Sequence, residues 1–136
     1  MTAVWASVEL AVPVDDAWAA VTDWVGQGQW IPMTRVAVTE GDGGEGTRLS
    51  ARTGVGPLAF VDTMVVDRWD PPRRCEVAHL GRLVRGRGVF TVEPTPAGSR
   101  VTWLEQLDGL AARLAAPVSR LALQLALRRL ARVAVR

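Results

Sequence analysis

Alternation of apolar and polar residues with a period of two dominates much of the chain before residue 109. In residues 4–12, apolar side chains occupy every second position, which is the pattern of a half-buried strand. From residue 41 onward, turn residues recur at fairly regular spacing between runs rich in Val, Thr and Phe. This spacing predicts six more antiparallel strands, near 34–40, 46–53, 58–69, 74–80, 82–94 and 99–108.

Two segments depart from this alternation. Asp15 and Asp16 precede a short amphipathic pattern, typical of a helix with acidic residues at its partly positive N-terminal end. From about Leu110 the sequence predicts a long helix rich in Leu, Ala and Arg, with two apolar rows on nearly opposite sides. The first row is Leu114, Val118, Leu121 and Leu125, and the second is Leu123, Leu127, Leu130 and Ala134.

Strand parity assigns each side chain of the predicted sheet to one of two faces if every turn is tight. The resulting register pairs Met64 with His79, Val66 with Val77, Arg68 with Cys75, Phe90 with Trp103, Gly88 with Glu105 and Gly86 with Leu107. One face is then mostly apolar, whereas the other carries Arg48, Arg52, Arg74, Glu76, Arg85, Arg87, Glu93 and Arg100. Because a slip of one residue would reverse the faces, this separation predicts one solvent face and one covered face.

The order of one strand, two short helices, six strands and a long helix resembles the helix-grip fold of the SRPBCC superfamily, also called START-like or Bet v 1-like. Within it the chain is similar to the bacterial polyketide cyclase/dehydrase-like branch. The matching stretches are 12–18 (VPVDDAW), 23–24 (DW), 30–32 (WIP), 46–48 (GTR), 56–58 (GPL), 69–73 (WDPPR) and 85–103.

This resemblance implies a single α+β domain over residues 1–136. A strongly curved antiparallel sheet of about seven strands would wrap around the C-terminal helix, with two short helices between the first two strands. A cavity between sheet and helix would hold an apolar small molecule. Since members of the superfamily range from lipid carriers to cyclases, the resemblance leaves the ligand open.

Composition agrees with one globular domain. The 136 residues are 49% hydrophobic and 22% charged, which argues against disorder, collagen and coiled coil. A single cysteine and a single histidine cannot complete a zinc cluster, so we expect neither a metal nor a cofactor. The N-terminus lacks a basic region before its apolar stretch, so we expect no signal peptide and a cytoplasmic protein.

The charge is unevenly distributed. The net charge of +2 gives no indication of nucleic-acid binding, and all 16 cationic side chains are arginine. Residues 1–109 hold 10 Arg and 14 acids, a net of −4, whereas residues 110–136 hold six Arg and no acid, a net of +6. Pro117 and these arginines interrupt the most apolar segment, so we do not expect it to span a membrane.

Three titratable side chains, Asp62, His79 and Glu105, fall on the otherwise apolar face. A buried carboxylate without a partner is costly, so each needs a hydrogen bond, a raised pKa or water. One interpretation is catalytic: His79 acts as general acid/base, Asp62 orients it, and Glu105 protonates or holds a substrate carbonyl or hydroxyl. The alternative is a solvated His79 at the rim and a salt bridge from Asp62 to Arg48 or Arg68.

The remaining candidate residues would form an apolar cavity wall. Gly86 and Gly88 occupy neighbouring inward positions, which indicates either a bend in the sheet or space left for a ligand. Trp30, between Gly28 and Pro32, is the candidate for an entrance gate. The predicted ligand-binding residues are Trp30, Met33, Leu49, Phe60, Met64, Gly86, Gly88, Phe90, Trp103, Leu114, Val118 and Leu121.

The other residues with distinctive chemistry have plainer interpretations. Parity places Trp5 and Trp69 on the solvent face, where they would cover arginine stems. Cys75 is expected to be a small buried apolar residue rather than a nucleophile.

Whichever helix row does not face the sheet needs another partner. The candidates are the N-terminal helical pair, a second copy of the chain in a homodimer, or an anionic membrane surface. The sequence therefore favours a protein that binds an apolar or polycyclic small molecule such as a lipid, a polyketide or a quinone-like compound. A polyketide cyclase, aromatase or dehydratase and a membrane-touching lipid or coenzyme-Q chaperone remain as alternatives.

Overall fold

The computed structural model describes residues 1–82 and 84–135. The chain runs in the order β1 (Thr2–Leu10), α1 (Val14–Thr22), a 3₁₀ segment (Val25–Gln29), β2 (Thr34–Glu40), β3 (Arg48–Thr53), a 3₁₀ turn (Gly56–Leu58), β4 (Phe60–Asp70), β5 (Arg74–Leu80), β6 (Arg85–Thr95), β7 (Gly98–Leu107) and α2 (Leu110–Val133). All predicted elements are present, and strand limits differ from the predicted ones by up to three residues.

The seven strands form one antiparallel sheet in the order β1-β7-β6-β5-β4-β3-β2. Each of β2 to β7 pairs with its sequence neighbour, while β1 closes onto β7 from the other end of the chain. This confirms the predicted α+β helix-grip architecture, with both helices on one side of an open sheet.

The register of β4 with β5 and of β6 with β7 agrees with parity except at one bulge. Met64 pairs with His79, and the other predicted pairs along β6 and β7 are also present. Between Val66 and Arg68 the register shifts by one residue, so that Trp69 rather than Arg68 lies opposite Cys75. A bulge places an extra residue on one strand and reverses the faces beyond it.

The bulge moves Trp69 from the predicted solvent face to the covered face, so the prediction that it covers arginine stems was wrong. Its ring lies 5.1 Å from that of Trp18 and 6.4 Å from that of Trp24, centroid to centroid. Trp69 therefore packs beneath the N-terminal helical pair, on the covered face. Trp5, which has no bulge before it, is exposed as predicted.

Helix α2 buries the second apolar row and leaves the first in solvent. Its buried residues are Leu123, Ala126, Leu127 and Leu130, and it packs mainly against β1. The predicted cavity residues Leu114, Val118 and Leu121 are 73%, 72% and 60% exposed. Their assignment to the cavity wall was wrong, because the two rows lie nearly opposite each other and only one can face the sheet.

The first half of α2 has little contact with the rest of the fold. Residues 110, 111, 113–115, 117, 118 and 120–122 are all exposed, and the helix continues through Pro117. By length and composition alone, Leu110–Val133 would suffice to cross a membrane. The inner face of the sheet and the second half of α2 enclose the remaining space, which contains the candidate site.

Candidate functional site

A cavity of about 300 Å³ lies between the inner face of the sheet, the segment before β2 and the middle of α2. Ligand pockets typically begin near this size. Most of the lining is apolar. The lining residues are Trp24, Gln27, Ile31, Pro32, Met33, Thr34, Val36, Leu49, Ala51, Thr53, Asp62, Met64, Val77, His79, Phe90, Trp103, Glu105, Ala122, Leu123 and Ala126.

Four of these side chains form a hydrogen-bonded cluster, which we call the polar cluster: Asp62, His79, Trp103 and Glu105. His79 Nδ1 lies 2.9 Å from Asp62 Oδ2, and His79 Nε2 lies 2.9 Å from Glu105 Oε2. Trp103 Nε1 donates to Glu105 Oε1 at 2.9 Å. The imidazole is thus held between two carboxylates, each of which it reaches through a different nitrogen.

The strand register explains how residues from three strands meet. Asp62 on β4 lies two positions from Met64, the partner of His79 on β5, so both side chains share a face. On β6, Gly86 is the partner of His79 and Gly88 is the partner of Glu105. A Cβ atom on Gly88 would lie 2.9 Å from Glu105 Oε1. The glycine therefore leaves the space through which Glu105 reaches across β6 to the imidazole.

Gly86 is required by the backbone conformation of β6 rather than by the cavity. Its φ is +132°, and a Cβ atom there would lie against the carbonyl oxygen of Gln106. Residues other than glycine rarely adopt this backbone conformation. Neither Gly86 nor Gly88 lines the cavity, so the prediction of a glycine cavity wall was wrong: one glycine shapes the strand and the other makes room for the polar cluster.

The polar cluster keeps His79 protonated. The side chain of His79 is only 5% exposed, and burial by itself lowers the pKa of an imidazole. Hydrogen bonds and charge attraction from Asp62 and Glu105 outweigh this effect and raise the pKa of His79 to about 10. At neutral pH the group is therefore an imidazolium that donates through both nitrogens.

This geometry overturns the structural alternative for the three titratable residues. His79 is buried rather than solvated at the rim, and Asp62 pairs with it rather than with an arginine. Arg48 pairs with Glu40, and Arg68 pairs with Asp70 and Glu76 on the solvent face. It also changes the catalytic interpretation, because a protonated His79 with both N–H groups in use cannot accept a proton at neutral pH.

Eight of the predicted site residues line the cavity: Met33, Leu49, Asp62, Met64, His79, Phe90, Trp103 and Glu105. Trp30 does not. It is 1% exposed and packs edge-on against Phe90 and Trp103, with ring centroids 6.2 and 5.8 Å away. The prediction of an entrance gate was wrong because Trp30 lies in the core behind the aromatic wall.

Phe60 is also outside the lining. It is the first residue of β4, two residues before Asp62, and is partly exposed. Met33, directly before β2, is an exposed apolar residue that borders the cavity. Its φ of +54° is unusual for a residue other than glycine.

Sequence reasoning missed several lining residues. Thr34 and Thr53 pair across the ends of β2 and β3, with their hydroxyl oxygens 3.2 Å apart. Gln27 is buried and donates from Nε2 to the carbonyl oxygen of Val21. The lining from α2 is Ala122, Leu123 and Ala126 rather than the predicted row. Strand parity carried a signal for Thr34 and Thr53, which lie two positions from Val36 and Ala51, whereas the apolar period of α2 fitted two rows equally well.

Cys75 is a buried apolar residue, as predicted. Its side chain is enclosed in the core, and burial raises the pKa of the thiol to about 12. A thiol with such a pKa is inert as a nucleophile at neutral pH. Within residues 1–82 and 84–135, no group of three or more His, Cys, Asp or Glu side chains is arranged to hold a metal ion.

A curved antiparallel sheet, a C-terminal helix and an apolar cavity between them define a helix-grip protein. Residues 1–135 match the family described as "Polyketide cyclase / dehydrase and lipid transport". The chain belongs to this family. No curated protein matches the sequence.

Solved structures show the same fold at low sequence identity. Protein CV1439 from Chromobacterium violaceum has a TM-score of 0.80 and 15% identity, with 98% of each chain covered. Protein MLL2253 from Mesorhizobium loti has a TM-score of 0.77 and 16% identity, covering 97% of this chain and 96% of the other. TTHA0849 from Thermus thermophilus has a TM-score of 0.77 and 14% identity, covering 98% and 97%.

Proposed function

We propose that this protein binds one apolar small molecule, such as a lipid, a polyketide or a quinone-like compound, in the cavity between sheet and α2. The observation that carries the proposal is the cavity itself, about 300 Å³ in volume and mostly apolar. Burial of apolar surface contributes about 25 cal/mol per Å², so a ligand needs few polar contacts here to bind. Membership of a cyclase and lipid-transport family supports the same conclusion.

The test fills the cavity from its edge. Ala122 borders the cavity and lies on the exposed part of α2, so Ala122→Trp should place an indole in the ligand space without disturbing the core. Ala115→Trp, at an exposed position of the same helix outside the lining, is the matched control. We expect the purified wild type and the control to carry an extractable apolar compound, identified by mass spectrometry, and Ala122→Trp to lose most of it.

Equal ligand content in all three proteins would contradict the proposal, since the compound would then be bound elsewhere. Proteins that elute empty are tested by titration with a medium-chain alcohol. Binding to the wild type and control that is at least about tenfold weaker in Ala122→Trp supports cavity binding, whereas no binding to any of them contradicts it.

A second candidate function is catalysis of a cyclase or dehydratase type. The polar cluster favours it, because titratable groups lie in the wall of an apolar cavity. With His79 protonated, proton transfer would fall to the carboxyl groups of Asp62 and Glu105. Asp62→Asn discriminates the two functions: an enzyme would lose turnover of a polyketide substrate but keep binding it, whereas a carrier would show no turnover with either protein.

Delivery of a lipid at an anionic membrane is the proposed role for the exposed row of α2. This row ends in Arg128, Arg129 and Arg132, all exposed, and residues 110–136 contain no acid, so the same helix of a second copy offers no carboxylate to pair with them. We expect the protein to sediment with vesicles containing phosphatidylglycerol and not with phosphatidylcholine alone. Leu114→Glu should abolish sedimentation, and a dimer in solution that persists without vesicles would favour the homodimer instead.

A further inference from the structure

We propose that the polar cluster selects ligands whose head group donates a hydrogen bond, such as a hydroxyl or an ammonium group, and rejects ligands with a carboxylate. The inference rests on the proposed binding function and adds the chemical class of the ligand. It follows from which hydrogen-bonding atoms of the cluster are already used and from the cluster's charge.

The donors of the polar cluster are all engaged. The two ring nitrogens of His79 donate to Asp62 and Glu105, and Trp103 Nε1 donates to Glu105. Each of these nitrogens carries a single hydrogen. A ligand that reaches the cluster therefore finds no free N–H group to which its own acceptor could bind.

The acceptors of the polar cluster still have capacity. A carboxylate offers about four lone-pair sites on its two oxygens. Glu105 uses one site on each oxygen, and from residues 1–82 and 84–135 Asp62 receives only the Nδ1–H of His79, at 2.9 and 3.1 Å. Both carboxylate side chains retain 13% exposure and border the cavity, so a ligand hydroxyl or ammonium group could donate to either.

The charge of the polar cluster acts in the same direction. Two carboxylates and one imidazolium sum to −1, and among the cavity-lining residues that the structure describes no other side chain is charged. Charges interact more strongly beside an apolar wall than in water. A ligand carboxylate would meet this negative charge without a free N–H group of the polar cluster to compensate it, whereas an ammonium group would be attracted.

The test compares three probes with the same ten-carbon chain: decan-1-ol, decylamine and decanoate. Each is titrated into the protein at pH 7.5, decan-1-ol below its solubility limit and the other two below their critical micelle concentrations, and binding is measured by isothermal titration calorimetry. We expect the dissociation constants of the alcohol and the amine to be at least about tenfold lower than that of decanoate. Decanoate binding as tightly as the alcohol would overturn the inference and leave the proposed binding function intact. Binding of none of the probes would overturn both.

A pair of variants locates the effect in the polar cluster. Glu105→Gln removes one negative charge from the cavity wall, while Glu93→Gln makes the same change on the exposed outer face of the neighbouring strand β6. We expect the preference for decan-1-ol over decanoate to shrink several-fold in Glu105→Gln and to stay unchanged in Glu93→Gln. An unchanged preference in a Glu105→Gln protein with the circular dichroism spectrum of the wild type would overturn the assignment; if that variant does not fold, the wild-type series decides.

Discussion

The two faces of the sheet both pair carboxylates with cations, but in different surroundings. On the outer face Glu76 accepts hydrogen bonds from Arg68, Arg74 and Arg87, at 3.2, 2.9 and 3.1 Å. On the inner face a single cation, His79, serves two carboxylates. Glu76 thus has three cationic partners, whereas the two inner carboxylates share one.

Exposure decides what each arrangement contributes. The three outer arginine side chains are between 40% and 52% exposed, so water solvates each guanidinium group, and Glu76, itself only 12% exposed, keeps two cationic partners when one is removed. The His79 side chain is nearly enclosed, and water cannot replace it. An exposed ion pair is worth little to stability, whereas removing one member of a buried set leaves uncompensated charge. Removing a charged side chain should therefore destabilise the protein more on the inner face than on the outer face.

The largest expected effect is on the inner face. His79→Ala would leave the carboxylates of Asp62 and Glu105 in the cavity wall without their shared cation. We expect the free energy of unfolding at pH 7 to fall by roughly 3–5 kcal/mol, as for other broken buried ion pairs. Urea denaturation followed by circular dichroism measures this change, and a loss below about 1 kcal/mol would show that water already shields the two carboxylates.

The pH dependence of the wild type is the companion measurement. The pKa of His79 is about 10 in the folded protein against an ordinary value of 6.5, so the folded chain holds this proton more tightly. The stabilisation is complete below pH 6.5 and is lost as the pH rises toward 10. Between pH 6.5 and 8.5, below the ordinary pKa of 9.0 of the Cys75 thiol, stability should fall by up to about 1.4 kcal/mol per pH unit. His79→Ala should lack this fall, and an equal fall in both proteins would assign it to other groups.

The inner cluster was predictable in part because strand parity is a local rule. Parity counted from a tight turn pairs Asp70 with Arg73, whereas Asp70 pairs with Arg74. The bulge in β4 cancels this extra turn residue, so Asp62 and His79 still fall on one face as parity predicted. Glu105 followed from the register of β6 with β7, which has no bulge. Trp69 lies beyond the bulge, and nothing in the sequence marks the extra residue that turned it inward.

Other features depended on tertiary contacts that no local pattern encodes. The two apolar rows of α2 are equivalent in sequence, and contact with β1 selects the row of Leu127 and Leu130. The protonated state of His79 was not predictable either, because it requires Glu105 to reach across Gly88. Strand parity shows that the three side chains share a face, but only the distances between their atoms show which of them form hydrogen bonds.

The smallest expected loss of stability is on the outer face. Arg87→Ala removes the hydrogen bonds from Arg87 to Asp67 and Glu76, but Arg68 and Arg74 still pair with Glu76. We expect the free energy of unfolding to fall by roughly 0.2–1 kcal/mol at low salt, and by less at 1 M salt, where the Debye length is about 3 Å. Urea denaturation at both salt concentrations measures the change. A loss as large as that of His79→Ala would mean that the outer cluster acts as one buried unit, and exposure would then not be what separates the two faces.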